Sequence, residues 1–276
     1  MALTSLQKQV MAVIAANRSD TSYMAGGAVL NKDWFRLTDH LDIFHDTDEE
    51  IVATAKEDIA ALESAGFKVS VDIIIYGVVE CTVSRDGDDT MLQWMSETRY
   101  RYFPLVRDPE WGVRLNTADL AINKVGAASS RSKARDHIDL ITIDQRYCPL
   151  GPLVLAASGK PPNYSPQRII DEIRRRSLSL RAEDYLSVRG LPQDMTAVGI
   201  RDSLAAALDR AENYIHAADP ELVGVLTVDQ AGLPVGAAYP NEGVSLRRAT
   251  DEAETVPTIP DETPGFQHAP TANLRY

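Results

Sequence analysis

The sequence predicts an α+β fold, with a mixed-direction sheet in its first half, a helical second half and an acidic tail. Three observations carry that prediction. Up to about Met95, apolar positions switch between a helical period near 3.6 and a strand period of 2. Asp86-Gly87-Asp88-Asp89 joins two β-rich runs with a strong hairpin signal. After Thr117 the apolar spacing is helical almost throughout, and from Pro240 onward proline, threonine and acids follow one another without periodicity.

Taken in order, Leu3 to Ala16 reads as an amphipathic helix with Leu6, Val10, Val13 and Ile14 on its apolar face. Ser22 to Ala25 is a short strand running into Gly26-Gly27, a brief helix lies around Val29 to Asp33, and Arg36 to His45 is a strand. Thr47-x-x-Glu50 has the spacing of a capping box, and the helix it opens stops at Gly66 after about Ser64. Phe67 to Ile75, Val78 to Arg85 and Thr90 to Met95 are strands. Thr117 opens a helix through Lys124, and Arg131 to Gln145, Gly151 to Gly159 and Ile200 to Ala217 form others. Ser165-Pro166 places an N-cap and a first-turn proline before a helix reaching about Ser179. Leu222 to Ala238 folds back about Asp229-Gln230-Ala231-Gly232 as a hairpin. The expected domains are 1–148, a helical 149–218, and 219–276 with a hairpin and a disordered acidic tail.

Composition narrows the function classes. The chain has 276 residues, enough for one large domain or two modest ones, with 44% apolar and 25% charged residues. A formal net charge of -12 excludes a general nucleic-acid coat, so any nucleic acid requires a local basic patch. Arg168, Arg174, Arg175, Arg176 and Arg181 form one such cluster. Cys81 and Cys148 stand far apart without metal-type spacing, which fits a reduced, cytoplasmic setting. No signal-type segment or bilayer-length apolar run is visible, so a soluble protein is expected.

The chemistry concentrates in two constellations. A glycine pair at a strand-to-helix turn allows close backbone approach to phosphates, because no Cβ intervenes. In Arg36-x-Thr38-x-His40-x-Asp42, alternation puts Arg36, Thr38, His40, Asp42 and Phe44 on one face, while Leu37, Leu41 and Ile43 face the core. A carboxylate at the tip of such a strand can hold Mg²⁺ against bound phosphates. Downstream, Lys124, Arg131, Arg135 and Asp139 share one stripe if the helix is continuous, with Gly126 and Ser129-Ser130 as places where it could break; Asp136 and Asp139 can hold those cations in place or supply a further carboxylate. Cations so arranged grip phosphates, lysine as a point charge and arginine as a fork.

Gly26-Gly27-Ala28-Val29-Leu30 followed by Arg36-x-Thr38-x-x-x-Asp42-Ile43-Phe44 resembles the first motif of AbiEii/AbiGii toxin-type nucleotidyltransferases, within the polymerase-β-like nucleotidyltransferase superfamily. Lys124-x6-Arg131-x3-Arg135-Asp136-x2-Asp139 is similar to their second motif. The resemblance covers roughly residues 20 to 150. It implies a nucleotidyltransferase-like domain that transfers a nucleoside monophosphate from a nucleoside triphosphate to a hydroxyl of RNA, tRNA included, or of protein. It also implies Mg²⁺ or Mn²⁺ as cofactor and an antitoxin protein as partner. Asp42 would bind the metal, Gly26 and Gly27 would cradle phosphates, and Arg36 and Thr38 would shape that pocket. Lys124, Arg131 and Arg135 would meet the triphosphate, and Asp139 would act at the centre.

The chain departs from the motif at His40, where the family carries its first metal-binding aspartate. Gln93 stands where the third carboxylate is expected, with Glu80 and Asp72 as candidates to replace it. Three roles fit His40: a general base, a ligand for a softer metal such as Mn²⁺, or the mark of lost catalysis. The alternative function is therefore a catalytically degenerate nucleotide-binding or regulatory protein on the same scaffold.

Overall fold

A computed structural model describes residues 3–236 and 243–251. Contacts divide these residues into two compact units, one of 3–99 with 104–116 and one of 100–103 with 117–236 and 243–251. This partition groups the helices of 117–146 with the later ones, whereas the sequence reading placed 1–148 together.

The first unit is organised on strand alternation. Its sheet has the order β3-β4-β5-β2-β1-β7-β6, formed by β1 (Ser22–Ala25), β2 (His40–His45), β3 (Lys68–Ile75), β4 (Val78–Arg85), β5 (Asp88–Ser96), β6 (Val106–Asp108) and β7 (Gly112–Arg114). The sheet is mixed, with β2 parallel to β5 and antiparallel to β1. Leu41 and Ile43 on β2, Leu92 and Trp94 on β5, and Val79, Cys81 and Val83 on β4 are buried on one face. Against those strands pack α1 (Ser5–Ile14) and α3 (Ile51–Ser64), α1 chiefly against α3 and β5. His40, Asp42 and Phe44, with Met91, Gln93 and Met95, point to the other face.

Several elements match their sequence signals closely. β1 and β4 have the expected bounds, and Asp86-Gly87, both at positive φ (55° and 90°), form a two-residue turn between Arg85 and Asp88. α3 ends at Gly66 (φ 83°), with Gly66 N–H donating to the Glu63 carbonyl and Phe67 N–H to that of Leu62, the paired bonds of a Schellman ending.

Other expectations are corrected. Thr47 does not cap α3: residues 46–50 form turns, the Ile51 amide bonds the Asp48 carbonyl, and Glu50 occupies the cap position. The short helix after β1 is α2 (Gly26–Leu30), which begins at the glycine pair rather than after it. The expected strand from Arg36 shortens to His40–His45. Over the lost stretch the Gln7 amide donates to the Thr38 carbonyl (3.2 Å) and the Thr90 hydroxyl (3.1 Å), so a side chain from α1 takes up the backbone there instead of a strand ladder. Arg36 and Thr38 therefore sit in a loop, both almost fully buried.

The second unit contains α4 (Thr117–Ser130), α5 (Ala134–Arg146), α6 (Leu150–Ala157), α7 (Pro166–Ser179), α8 (Ala182–Leu186) and α9 (Ala197–Ala217). α6 is buried along its whole length and packs against α4, α9 and β8 (Val225–Val228). Ser165 caps α7 and Pro166 occupies its first turn, as expected. The Asp119 carboxylate on α4 accepts bonds from the Tyr102 and Phe103 amides (3.0 Å each) and the Lys160 ammonium (2.8 Å), fixing residues 100–103 to the helices. The fold-back about Asp229–Gly232 is present, with Val228 opposite Pro234. Ser245–Arg248, expected within a disordered tail, instead form β9, paired antiparallel to β8. The rest of that tail, 240–242 and 252–276, lies outside the described residues.

Cys81 and Cys148 are free and buried, and burial pushes both thiols up, that of Cys81 to about 12. No helix among the described residues is long and apolar enough to cross a membrane.

The first unit is held across its layers by a buried ion pair. Arg18 and Asp58 meet at 2.5 Å with no exposed side-chain surface, and the Asp58 carboxylate also accepts from the Trp94 indole and the Asn17 amide, both at 2.8 Å. Removing one member strands a buried charge, which costs about 3–5 kcal/mol. Arg18→Met is expected to lower unfolding free energy in urea by that amount, and Arg18→Met/Asp58→Leu by less than the single change.

Candidate functional site

At the end of β1 the chain turns sharply, and Gly26 takes φ 70°. A Cβ there would collide with the Asp42 carboxylate, whose Oδ2 lies over the Gly26 Cα. Asp42 is opposite Ala25 in the β1–β2 ladder, so strand register delivers its side chain to this turn. A Cβ on Gly27 would in turn collide with the Arg36 guanidinium. Arg36 also donates to the Leu37 carbonyl (3.2 Å), and the Asn31 amide donates to the Gly27 carbonyl (3.0 Å). The two glycines, expected from the sequence to cradle phosphates, also make room for a carboxylate and a guanidinium of the protein itself.

The structure brings Gly26, Gly27, Arg36, His40 and Asp42 together. His40 Nε2 lies 3.4 Å from Asp42 Oδ1, so the carboxylate faces the imidazole with one oxygen and the glycine turn with the other. Thr38 does not point to the same place by strand alternation: its hydroxyl donates to the His40 carbonyl (2.8 Å) and shapes the loop. Asp42 is 6% exposed, enough for a partner to reach it without bulk water surrounding the group.

Across the open face, Asp42 pairs with Gln93 on β5, and Gln93 with Glu80 on β4. The Gln93 amide donates to the Glu80 carboxylate, while Asp72 accepts from Thr82 (2.8 Å). Glu80, one of the two candidates for the missing carboxylate, is therefore a strand further from Asp42 than Gln93 and engaged by it. The sequence contained the signal: a two-residue turn at Asp86-Gly87 sets Arg85 against Asp88, and counting back puts Glu80 against Gln93. Among the described residues no group of three or more His, Cys, Asp and Glu side chains is arranged to hold a metal ion. With one carboxylate from the protein, an octahedral Mg²⁺ or Mn²⁺ would draw most of its oxygen ligands from substrate phosphates and water. The donor set does not fit a pair of metal ions clamped by protein oxygens.

The second constellation lies in the helical unit. Residues 131–133 separate α4 from α5, so Lys124, Arg131, Arg135 and Asp139 form no continuous stripe. Instead the reversal brings Lys124 between two fully buried carboxylates, Asp136 (3.0 Å) and Asp139 (2.9 Å). Arg131, at the start of the reversal, forks onto Asp136 through Nε (2.8 Å) and a terminal nitrogen (3.1 Å). Arg135 is half-buried on α5, one residue before Asp136. Burial alone would raise the Asp136 carboxyl, but Lys124 and Arg131 outweigh it and hold the group well below the usual carboxylate range. Asp136, which the sequence offers with Asp139 as a group to hold those cations in place, is the hub of the cluster.

The arginines expected to grip nucleic acid are largely engaged. Arg174 pairs with Asp209 and Glu212, and Arg175 and Arg176 both pair with Glu172.

No protein-family model matches the chain, and comparison with curated proteins finds no match. Solved structures do match. MenT4, a nucleotidyltransferase toxin from Mycobacterium tuberculosis H37Rv, superposes with a TM-score of 0.54 at 13% identity, over 79% of this chain and 84% of that one. The fold is that of a nucleotidyltransferase. A crystal structure from H. pylori of a protein assigned as a nucleotidyltransferase gives 0.45 at 16% identity, over 76% of this chain and 98% of that one.

Two outcomes follow from the geometry. Gly26→Ala forces a side chain into the Asp42 carboxylate at a backbone angle that L-residues avoid, and should cost about 1–3 kcal/mol in denaturant unfolding. Asp136→Asn should destabilise by about 3 kcal/mol at pH 7 by leaving Lys124 and Arg131 undercompensated. Because the folded-state pKa of Asp136 is depressed, its contribution is complete above its unfolded value, about 3.9, and is lost as pH falls further. The gap between wild type and Asp136→Asn should therefore narrow when urea melts are repeated near pH 3.

Proposed function

We propose that the chain is a metal-dependent nucleotidyltransferase of the AbiEii toxin type, moving a nucleoside monophosphate from a nucleoside triphosphate to a hydroxyl of RNA (tRNA among the candidates) or protein. The observation that supports it most directly is the placement of Asp42 and His40 against the Gly26-Gly27 turn, on a fold shared with MenT4. In this reaction an acceptor oxygen forms a bond to the α-phosphorus, the bond from that phosphorus to the bridging oxygen of the β-phosphate breaks, and pyrophosphate leaves. A metal ion held by Asp42 would supply charge neutralisation at the triphosphate when bound.

The remaining roles belong to the chain. His40, whose ring lies 3.4 Å from the Asp42 carboxylate, accepts the proton of the attacking hydroxyl as general base. Arg36 lies where a phosphate approaching the turn would meet a cation, with backbone amides of Gly26 and Gly27 beside it. By the motif resemblance, Lys124, Arg131 and Arg135 would neutralise phosphate charge, with Asp139 holding the Lys124 ammonium in position. An antitoxin partner rests on the motif resemblance, and a cytoplasmic setting on the two cysteines, far apart and without metal-type spacing.

One observation favours a second reading. Gln93 occupies the place beside Asp42 where a further carboxylate would serve the metal, and it is bonded to Glu80. A nucleotide-binding or regulatory protein without turnover fits that donor set as well.

Purified protein incubated with labelled nucleoside triphosphates, Mg²⁺ or Mn²⁺ and total RNA distinguishes the two. Transfer of label that falls at least about a thousandfold in Asp42→Ala supports the enzyme, since that is the scale of losing several kcal/mol of charge stabilisation. Triphosphate binding without transfer, not rescued by His40→Asp, establishes the non-catalytic reading.

A further inference from the structure

We infer that β3 is the surface through which two copies of this chain pair, edge to edge and antiparallel, into one continuous sheet. β3 ends the sheet and is bonded to β4 alone among the described strands. Edge strands of soluble proteins are usually short, charged or covered, because their unpaired amides and carbonyls recruit other strands. This one is eight residues long, and Val71, Ile73, Ile74 and Ile75 are exposed by 45%, 39%, 56% and 60%. Its only charged residues are Lys68 and Asp72.

The identity of the occupant follows from charge. One end of the edge is basic: Lys68 is exposed, and Arg85 stacks on the Phe67 ring at 3.6 Å. The other end is acidic: Asp48 lies 2.9 Å from where a Cβ on Gly77 would stand, and the negative charge of Glu49 pushes the Tyr76 phenol up. An edge polarised in this way is complementary to itself when reversed, which is the condition for a two-fold, isologous contact. A uniformly acidic or basic strand would satisfy one end and be repelled at the other.

The bulge selects the register. Val71 faces with Cys81 and Ile74 with Val79 on the covered side, whereas Ser70 faces with Thr82, and Ile73 with Glu80, on the open side. The extra residue at Asp72 thus reverses the parity of the strand midway. Antiparallel pairing that keeps like faces together sets Val71 against Ile74 of the second copy, Ser70 against its Ile75, and Asp72 against its Ile73. In the same register Lys68 comes opposite Gly77 of the second copy, next to that copy's Asp48 and Glu49. Symmetry makes every contact twice. The aliphatic pairs supply the hydrophobic term, the ladder satisfies the edge, and the ionic ends exclude other registers.

Sedimentation of the full chain over a concentration series tests this directly. The expected result is a monomer–dimer equilibrium that Ile74→Lys abolishes while leaving the circular dichroism spectrum of the dilute monomer unchanged, since residue 74 is exposed. Lys68→Glu and Glu49→Lys should each raise the dimer dissociation constant about tenfold, two surface ion pairs being lost each time. Combining the two should restore wild-type affinity by exchanging the partners of each pair. A monomer throughout the series, a dimer indifferent to Ile74→Lys, or a double variant as weak as the singles would each overturn the proposal.

Discussion

The approach of the Asp42 carboxylate to Gly26 is the constraint around which the first unit is arranged. It requires a residue without a side chain at the end of β1, a backbone angle that glycine adopts at little cost, and a β1–β2 register that sets Ala25 against Asp42. The same turn admits Arg36 over Gly27, so a negative and a positive group are held within one short span of backbone. The arrangement is stiff because its parts belong to a buried sheet strand and to a loop anchored by Gln7 and Thr38. Whatever binds there meets a prearranged pair of opposite charges.

The helical unit solves a different problem, that of burying charge. Asp119, Asp136 and Asp139 have no exposed surface, and each meets a lysine at close range. Such pairs add little net stability compared with apolar packing, but losing either member leaves the other charge buried and unmatched. Asp119 also fastens residues 100–103, and Asp136 defines how the chain reverses between α4 and α5.

Much of this was legible in the residues, and the misses share a cause. β1, β4, the Asp86-Gly87 turn, the Gly66 helix end and the Ser165-Pro166 helix start depend on local chemistry, and all stand where that chemistry puts them. The strand predicted from Arg36 failed because Gln7, distant in sequence, takes the Thr38 carbonyl. The supposed stripe failed because spacing alone does not reveal a chain reversal at 131–133. The pairing of β9 with β8 was likewise invisible in a segment whose composition reads as disordered. Of the candidate site, the cluster at Gly26, Gly27, His40 and Asp42 was visible as a motif, but the side chains packed over the glycines were not. They make room for side chains of the protein, and only coordinates reveal what a missing Cβ would strike.

The two cysteines carry a practical consequence. Both thiols are sequestered and held in their protonated, weakly nucleophilic form. Alkylating dyes and spin probes will pass over the native molecule and react at whichever single surface cysteine an experimenter installs. The protein is thus ready for site-directed spectroscopy with its own sulfur chemistry left intact.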